Sequence, residues 1–268
     1  WKNPSVQEVY EPGSTGKVIT VASAIEEGKI GPETVMTVPY KLKRSNKVFS
    51  DHDPHPVQRL TVAGALAVSS NTASIKIGEM LSNDKLHSYL KKFGIGEKPG
   101  SGLPGEESGK LLEVKDWSGT TAPTVAVGQG YSVTAMQATS VFATIANDGV
   151  RVTPTVVAGV SDAAGRYTPA SQQKSVRVVS AQTAQKMRLM MESVVSPTGT
   201  APTAAIPGYR VAGKTGTAQR VDDSCGCYRG YTASFIGFAP ADQPEFVVSV
   251  TIQDPKGLHW GGYLGGPV

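Results

Sequence analysis

The stretch YRVAGKTGTAQ, residues 209–219, reads as a β-strand, and two more β-rich runs follow it: TASFIGF (232–238) and FVVSVTIQ (246–253). Gly, Asp and Pro occupy the breaks between them, so the three are expected to pair consecutively as antiparallel neighbours. Upstream the periodicity changes to that of helices. STGKVITVASAIEE (14–27) starts at Ser14, carries Val18, Ile19, Val21, Ala22 and Ile25 on one face, and meets Gly28 as a stop. Residues 60–81 hold two helical patterns that meet near Ser69–Thr72. Further helices are expected over Asn83–Phe93, closed by Gly94, over 133–147, ended by Asp148-Gly149, and over 180–195. Residues 96–124, rich in Gly, Pro and Ser, read as loop. Helices in the middle with strands toward the end make an α+β pattern; a doubly wound parallel sheet needs regular alternation.

A length of 268 residues fits one large domain, and 39% hydrophobic with 18% charged residues is a globular composition. The net charge of +4 is small and no Lys/Arg run is interleaved with aromatics, so no nucleic-acid partner is expected. No apolar stretch approaches the ~18 residues of a membrane span. The chain opens at Trp1 without a Met or a signal-peptide pattern. It is read as a piece of a longer protein whose targeting information lies upstream. Cys225-Gly226-Cys227 falls on a turn between two strand candidates. A local disulfide and two free thiols both remain open for it.

Three short motifs carry the chemistry: Ser14-Thr15-Gly16-Lys17, Ser69-Ser70-Asn71 and Lys214-Thr215-Gly216, followed by Thr217. A serine hydroxyl is a poor nucleophile without a nearby base. Positions i and i+3 share a helix face, which puts Lys17 within reach of Ser14. Lysine acts as a base only when neutral, and that needs burial or a second cation. Val18, Ile19 and Val21 favour burial, and Lys214 is a candidate for the cation. Ser14 at a helix start gains from the partial positive charge there. Ser69 can relay a proton, and Asn71 can both donate to and accept from a substrate amide. A strand edge opening at Lys214 offers free N–H and C=O groups to an extended peptide, and Gly216 would let that peptide approach closely. Each motif alone is weak; Asn71 by itself is more often a helix cap. The signal is the three in order at a helix start, a helix junction and a strand.

Such a trio marks penicillin-binding proteins and serine β-lactamases. The flanking segments narrow the resemblance. Tyr10-Glu11-Pro12-Gly13-Ser14-Thr15, Ala67-Val68-Ser69-Ser70-Asn71-Thr72, Val127-Gly128-Gln129-Gly130 with Ser132-Val133-Thr134, Gly199-Thr200-Ala201, and Pro207-Gly208-Tyr209 through Gln219 resemble the class B penicillin-binding proteins, in particular the division-specific septal transpeptidases. The resemblance runs over nearly the whole chain. It implies a five-stranded antiparallel sheet flanked by helices, with a mostly helical second lobe. It implies a peptidoglycan D,D-transpeptidase with no cofactor and no metal, acting outside the bacterial cell membrane behind an N-terminal anchor absent from this chain. Its partners would be stem peptides, β-lactam antibiotics and other division and wall-synthesis proteins. By the same resemblance Ser14 would be acylated by a stem peptide ending in D-Ala-D-Ala, with Lys17 as base. Ser69 would shuttle the proton, Asn71 hold the substrate amide and Lys214 tune the field. Thr215 and Thr217 would bind the terminal carboxylate, with Gly216 between them, and the backbone N–H groups of Ser14 and Thr217 would form the oxyanion hole. Two departures stand out. Gly16 replaces a larger apolar residue, which implies a looser helix start. The chain, 1–268, also stops at Val268, where the family has a final helix.

Other readings are weaker. Gly13-Ser14-Thr15-Gly16-Lys17 fails as a nucleotide loop, because position 11 is Glu and position 18 is Val. Asp51-His52-Asp53-Pro54-His55 could be a metal cluster, but a polar loop accounts for it. A carboxypeptidase or β-lactamase on the same scaffold, and a sensor or idle scaffold, are the rival functions. No Glu-x-x-Leu-Asn pattern offers a water-activating glutamate; Glu106 and Glu107 lack it. The intact trio disfavours an idle scaffold.

Overall fold

Among the described residues, ten of the strands are short and pair as five separate antiparallel ribbons: β1 (Val9–Tyr10) with β6 (Val133–Thr134), β2 (Val35–Val38) with β5 (Gln58–Thr61), β3 (Lys41–Arg44) with β4 (Lys47–Ser50), β7 (Val150–Val152) with β10 (Ser175–Arg177), and β8 (Gly159–Ser161) with β9 (Tyr167–Pro169). The computed structural model describes residues 2–171, 173–222 and 225–268. Among these, one larger sheet forms, in the order β11 (Ala212–Asp222), β12 (Cys227–Ala239) and β13 (Phe246–Gln253), antiparallel throughout. The consecutive pairing of the three late runs is therefore observed, and β13 has the predicted limits. β11 begins three residues later than expected, because Tyr209 turns back to donate to the Ile206 carbonyl at 3.0 Å. The five-stranded count is not met among the described residues. The remaining strand segments are two to four residues long and find partners in local ribbons.

The helices are α1 (Pro4–Gln7), α2 (Lys17–Glu26), α3 (Val62–Ala67), α4 (Asn71–Gly78), α5 (Asn83–Lys92), α6 (Thr121–Ala126), α7 (Ala135–Ala146), α8 (Ala181–Val195) and α9 (Gly261–Leu264). Helix α2 is the hub: every residue from Lys17 to Ile25 is buried, as in a helix surrounded on all sides. It packs against α4, α5, α7 and α8, while α7 and α8 also cover the sheet. The predicted junction near Ser69 is the break between α3 and α4. Thr134 and Gln137 form a reciprocal capping box that starts α7, and Ser180 caps α8 through the Thr183 amide. Part of the segment read as loop is helical: α6 occupies Thr121–Ala126, which local Gly/Pro content masked.

The start of the first predicted helix also differs. Gly13–Gly16 is a 3₁₀ turn, and the α-helix begins only at Lys17. The turn is fastened from outside. Gly13, at φ +55°, donates to the Gly128 carbonyl at 2.8 Å, and the Thr15 hydroxyl donates to the Pro12 carbonyl at 2.8 Å. A Cβ at Gly16 would lie 2.3 Å from the Tyr131 hydroxyl and 2.8 Å from Gly128 Cα. Glycine here lets Gly128–Tyr131 close down on the turn, so the expectation of a loose helix start is corrected: the space is filled.

Candidate active site

Four parts of the fold meet at one cleft of about 990 Å³: the 3₁₀ turn, the α3–α4 junction, strand β11 and the segment leading into α9. Ser14, Ser69, Asn71, Thr215 and Thr217 line it. Lys17 and Lys214 lie beneath, each fully buried. All three sequence motifs therefore come together, from positions 200 residues apart in the chain.

Ser69 is the meeting point. It has φ +58°, a left-handed conformation that costs a non-glycine residue free energy and that tight junctions at functional sites often hold. Its Oγ accepts from Lys214 Nζ at 2.9 Å and lies 3.2 Å from Lys17 Nζ. Lys17 Nζ donates further to the Ser69 carbonyl at 2.5 Å and to Asn71 Oδ1 at 2.7 Å. The amide of Asn71 is completed by a bond from Nδ2 to the Ser50 carbonyl, 2.8 Å. Asn71 is thus not a cap. That place is taken by Ser70, whose Oγ accepts from the Ala73 amide at 3.0 Å.

Burial lowers the pKa of Lys17 from 10.5 to about 7, and the negative charge of Asp51 opposes the shift. Lys214 is lowered well below the usual lysine range, by burial first and then by the charge of Lys17. Burial, which the apolar flanks of Lys17 favour, makes it a candidate base, and the two buried ammonium groups disfavour each other. Three acceptors around Lys17 would suit an ammonium. When neutral, Lys17 can still donate to the Ser69 carbonyl and Asn71 Oδ1, while its lone pair takes a bond from the Ser69 hydroxyl.

Thr215 Oγ1 lies 2.9 Å from Thr200 Oγ1, and Thr217 Oγ1 accepts from the Gly261 amide at 3.1 Å. Both project into the cleft, whereas Gly216 faces away from it. A Cβ at Gly216 would meet Ser234 Oγ at 2.4 Å and the Pro12 carbonyl at 3.0 Å. Close packing of the 3₁₀ turn on the sheet, rather than close approach of a substrate, requires this glycine. β11 is an edge of its sheet among the described residues.

Asp51 is the main site residue that the sequence reading passed over. It is buried, not part of an open polar loop. Its Oδ1 accepts from the Thr72 amide at 2.9 Å, and its Oδ2 accepts from Ser70 Oγ at 2.7 Å and faces His55 Nε2 at 3.0 Å. It therefore ties β4 to the Ser69–Thr72 junction. Nothing periodic in residues 51–55 signals this burial. Gly128, quoted above only for its resemblance, and Tyr131 buttress the Ser14 turn, a role that no local sequence signal shows. At the rim, the His52 ring meets Trp260 at 4.2 Å, and Trp260 continues to His259 at 4.4 Å and Tyr231 beyond. The cysteines, left open above, form a disulfide, Cys225–Cys227, with S–S 2.01 Å.

Known proteins place this architecture. The family described as the penicillin binding protein transpeptidase domain matches residues 1–268. The chain is 38% identical to penicillin-binding protein PbpB of Mycolicibacterium smegmatis over 95% of its length and 40% of the relative's. It is 34% identical to peptidoglycan D,D-transpeptidase FtsI of Escherichia coli over 100% of its length and 43% of the relative's. Crystal structures of penicillin-binding protein 3 from Mycobacterium tuberculosis, complexed with aztreonam and with ampicillin, superpose with a TM-score of 0.91 at 38% identity, covering 94% of this chain and 58% of the other. The chain spans about two-fifths of the length of these curated relatives. From its sequence, its fold and its cleft, the chain belongs to the penicillin-binding protein transpeptidase family, class B, with peptidoglycan D,D-transpeptidases among its relatives.

Proposed function

We propose that the chain is the acyl-transfer domain of a division-specific peptidoglycan D,D-transpeptidase, acylated at Ser14 by stem peptides ending in D-Ala-D-Ala and trapped there by β-lactams. One observation supports this reading above the others: two buried lysines converge on Ser69 Oγ beside an exposed cleft that Ser14 lines. In this mechanism neutral Lys17 takes the proton of Ser14 as Oγ attacks the penultimate carbonyl carbon. A Lys17 bond to Ser69 or Asn71 is exchanged for Ser14 as substrate enters. The oxyanion is held by the backbone N–H groups of Ser14 and Thr217. Collapse breaks the C–N bond, and Ser69 passes the proton from Lys17 to the departing D-Ala amine, with Lys214 fixing its orientation. An acceptor amine then attacks the ester, gives up a proton by the same route, and frees Ser14. Asn71 orients the substrate amide, while the Thr215 and Thr217 hydroxyls bind its terminal carboxylate. An enzyme of this kind works outside the cell membrane with other wall-synthesis and division proteins. No helix among the described residues is long and apolar enough to cross a membrane.

Intact mass after exposure to benzylpenicillin tests the proposal. A stable one-to-one adduct that maps to Ser14 and disappears in Ser14→Ala is expected. An adduct on Ser69, or none at all, defeats the assignment.

A further inference from the structure

Residue His55 has no place in the mechanism above, yet both of its ring nitrogens face oxygen acceptors. Nδ1 lies 2.7 Å from the Pro56 carbonyl and Nε2 lies 3.0 Å from Asp51 Oδ2. Neither oxygen can donate. A neutral imidazole has one N–H and one lone pair, so either tautomer would point a lone pair at an oxygen. The pattern fits a ring carrying two N–H groups, an imidazolium. Its side chain is 16% exposed and its partner Asp51 only 8%, so this ion pair is sheltered from solvent.

The same Asp51 oxygen that faces His55 also accepts from Ser70 Oγ, and its other oxygen accepts from the Thr72 amide. Between these two residues sits Asn71, bonded to Lys17, and before them Ser69, bonded to Lys17 and Lys214 in a left-handed conformation. A path of direct bonds therefore runs from His55 through Asp51 to the junction that carries Ser69 and Asn71. We infer that His55 is a positioning residue for acylation: as an imidazolium it locks Asp51 onto the Ser69–Thr72 junction, and loss of its proton sets the alkaline limit of the rate. This inference rests on the acyl-transfer reading above.

The groups around the ring support the direction. Asp51 faces it from the end of β4, and the Tyr40 ring packs edge-on at 5.8 Å with Lys41 over that tyrosine. On its own loop, His52 and Asp53 are 62% and 90% exposed and face each other at 3.7 Å. Lys17 acts on Asp51 from α2. The Pro56 carbonyl, and after it Asp51, hold the His55 pKa above 6.5. A raised pKa keeps the imidazolium below that pKa and loses it as pH rises through it. Lys17 works in the opposite sense, becoming neutral as pH rises through about 7. The two requirements oppose each other, so the acylation rate should be bell-shaped, and the inference assigns its alkaline limb to His55.

The test is the pH profile of benzylpenicillin acylation for the parent and for His55→Gln, whose amide can replace only one of the two N–H donors while staying neutral. At neutral pH the variant should acylate about tenfold more slowly, the effect of one lost charge-assisted hydrogen bond. The two rates should converge above the alkaline limb, because the parent then lacks the same charge. A drop that is the same at every pH, or no drop, overturns the inference. Side-chain ¹⁵N shifts of His55 in the parent provide a second arm that needs no variant to fold. Two protonated nitrogens at neutral pH, titrating together with the alkaline limb, are expected; a neutral ring at the rate maximum overturns the proposal. A parent that forms no penicilloyl adduct defeats the acyl-transfer reading instead, and the ¹⁵N titration still decides whether His55 is the charged clamp on Asp51.

Discussion

Lys17 and Lys214 share one hydroxyl: Ser69 Oγ lies 3.2 Å from the first Nζ and 2.9 Å from the second. A hydroxyl can donate to one nitrogen while accepting from another, so Ser69 can hand a proton to Lys17 without losing Lys214. The arrangement works only if Lys17 can be neutral. Lys17→Arg keeps the charge but is never deprotonated, and its larger head must enter a fully buried site. Acylation by penicillin should fall by ~10²–10⁴, the usual cost of losing a general base. Stopped-flow or quenched mass measurements give the rate, and an Arg variant acylating near the parent rate would leave Lys17 a purely electrostatic role.

Burial of the same lysine has a consequence for stability. Folded Lys17 titrates at about 7, against an ordinary value of 10.5. Between those values the unfolded chain binds a proton that the folded one does not, so stability rises with pH over this window. One group contributes a slope of up to ~1.4 kcal/mol per pH unit there. Lys17→Met removes the buried amine. The difference in unfolding free energy between parent and variant, measured by denaturant at several pH values, should shift toward the parent from about pH 7 to about pH 10. Taking the difference cancels His55 and the buried tyrosines. A flat difference would mean that Lys17 is not depressed.

How much of this was legible in the sequence depends on whether the cause is local. The three late strands, the α3–α4 junction and the Ser180-capped helix follow from periodicity, caps and turn residues, which act over a few neighbours. The three motifs were found because each sits at a readable place: a turn before a helix, a break between helices, a strand. What stayed hidden is set by contacts across the chain. Gly216 looked like a substrate approach but is fixed by Ser234 and Pro12. Asp51 looked exposed but is covered by Ser70, Thr72 and His55, residues that its own local pattern does not mention. The helix read from Ser14 begins instead at Lys17, because Gly128 and Tyr131 hold the preceding turn from more than a hundred positions away.

That last contact yields a prediction. Gly16 has ordinary helical φ of −67°, so alanine is not excluded by its backbone. The obstacle is the Tyr131 hydroxyl, 2.3 Å from the added Cβ, with Gly128 Cα behind it. Gly16→Ala should lose roughly 1–3 kcal/mol through overpacking, a melting-temperature drop of several degrees, and should slow acylation by displacing the Ser14 turn. The Tyr131 oxygen is buried with no hydrogen-bond partner among the described residues, so Tyr131→Phe alone should be nearly neutral. Combined with Gly16→Ala it should recover part of the loss. A double variant no better than the sum of the singles would deny the coupling.

The disulfide should matter little. Cys225 and Cys227 are exposed at the connection from β11 to β12, and neither lines the cleft. Their bond closes a very short loop, so it removes little entropy from the unfolded chain. A double Cys→Ser variant should melt near the parent and acylate at the parent rate. Normal folding with lost acylation would contradict this and tie the hairpin to the site.

The acyl-enzyme should be long-lived. Hydrolysing the Ser14 ester needs a water on the open face of the carbonyl and a base to take its proton. The carboxylates among the cleft-lining residues are Asp51 and Asp53. Asp51 has both oxygens engaged by Thr72, Ser70 and His55, and using it as a base would undo the junction that holds Ser69. Asp53 has a side chain that is 90% exposed and lies beside His52, at the rim and open to solvent. Of the other basic groups, Lys17 must also manage the Ser14 proton, Lys214 is engaged with Ser69 Oγ, and His52 packs edge-on against Trp260 at the rim. A transpeptidase gains from this lack, because its acyl-enzyme has to outlast the wait for an acceptor amine, and fast hydrolysis would waste the donor strand. A β-lactam exploits it, since its leaving group stays tethered after ring opening and obstructs the acceptor. A penicilloyl adduct on Ser14 should therefore persist for many minutes or longer. A lifetime of a minute corresponds to a barrier of roughly 20 kcal/mol, and a well-placed base lowering it by ~3 kcal/mol would shorten the lifetime about a hundredfold. Time-resolved mass spectrometry of the adduct reads this directly. Clearance within seconds, with steady turnover of penicillin, would make the enzyme a β-lactamase and require a water-activating group that Asp51 and Asp53, as placed here, do not supply.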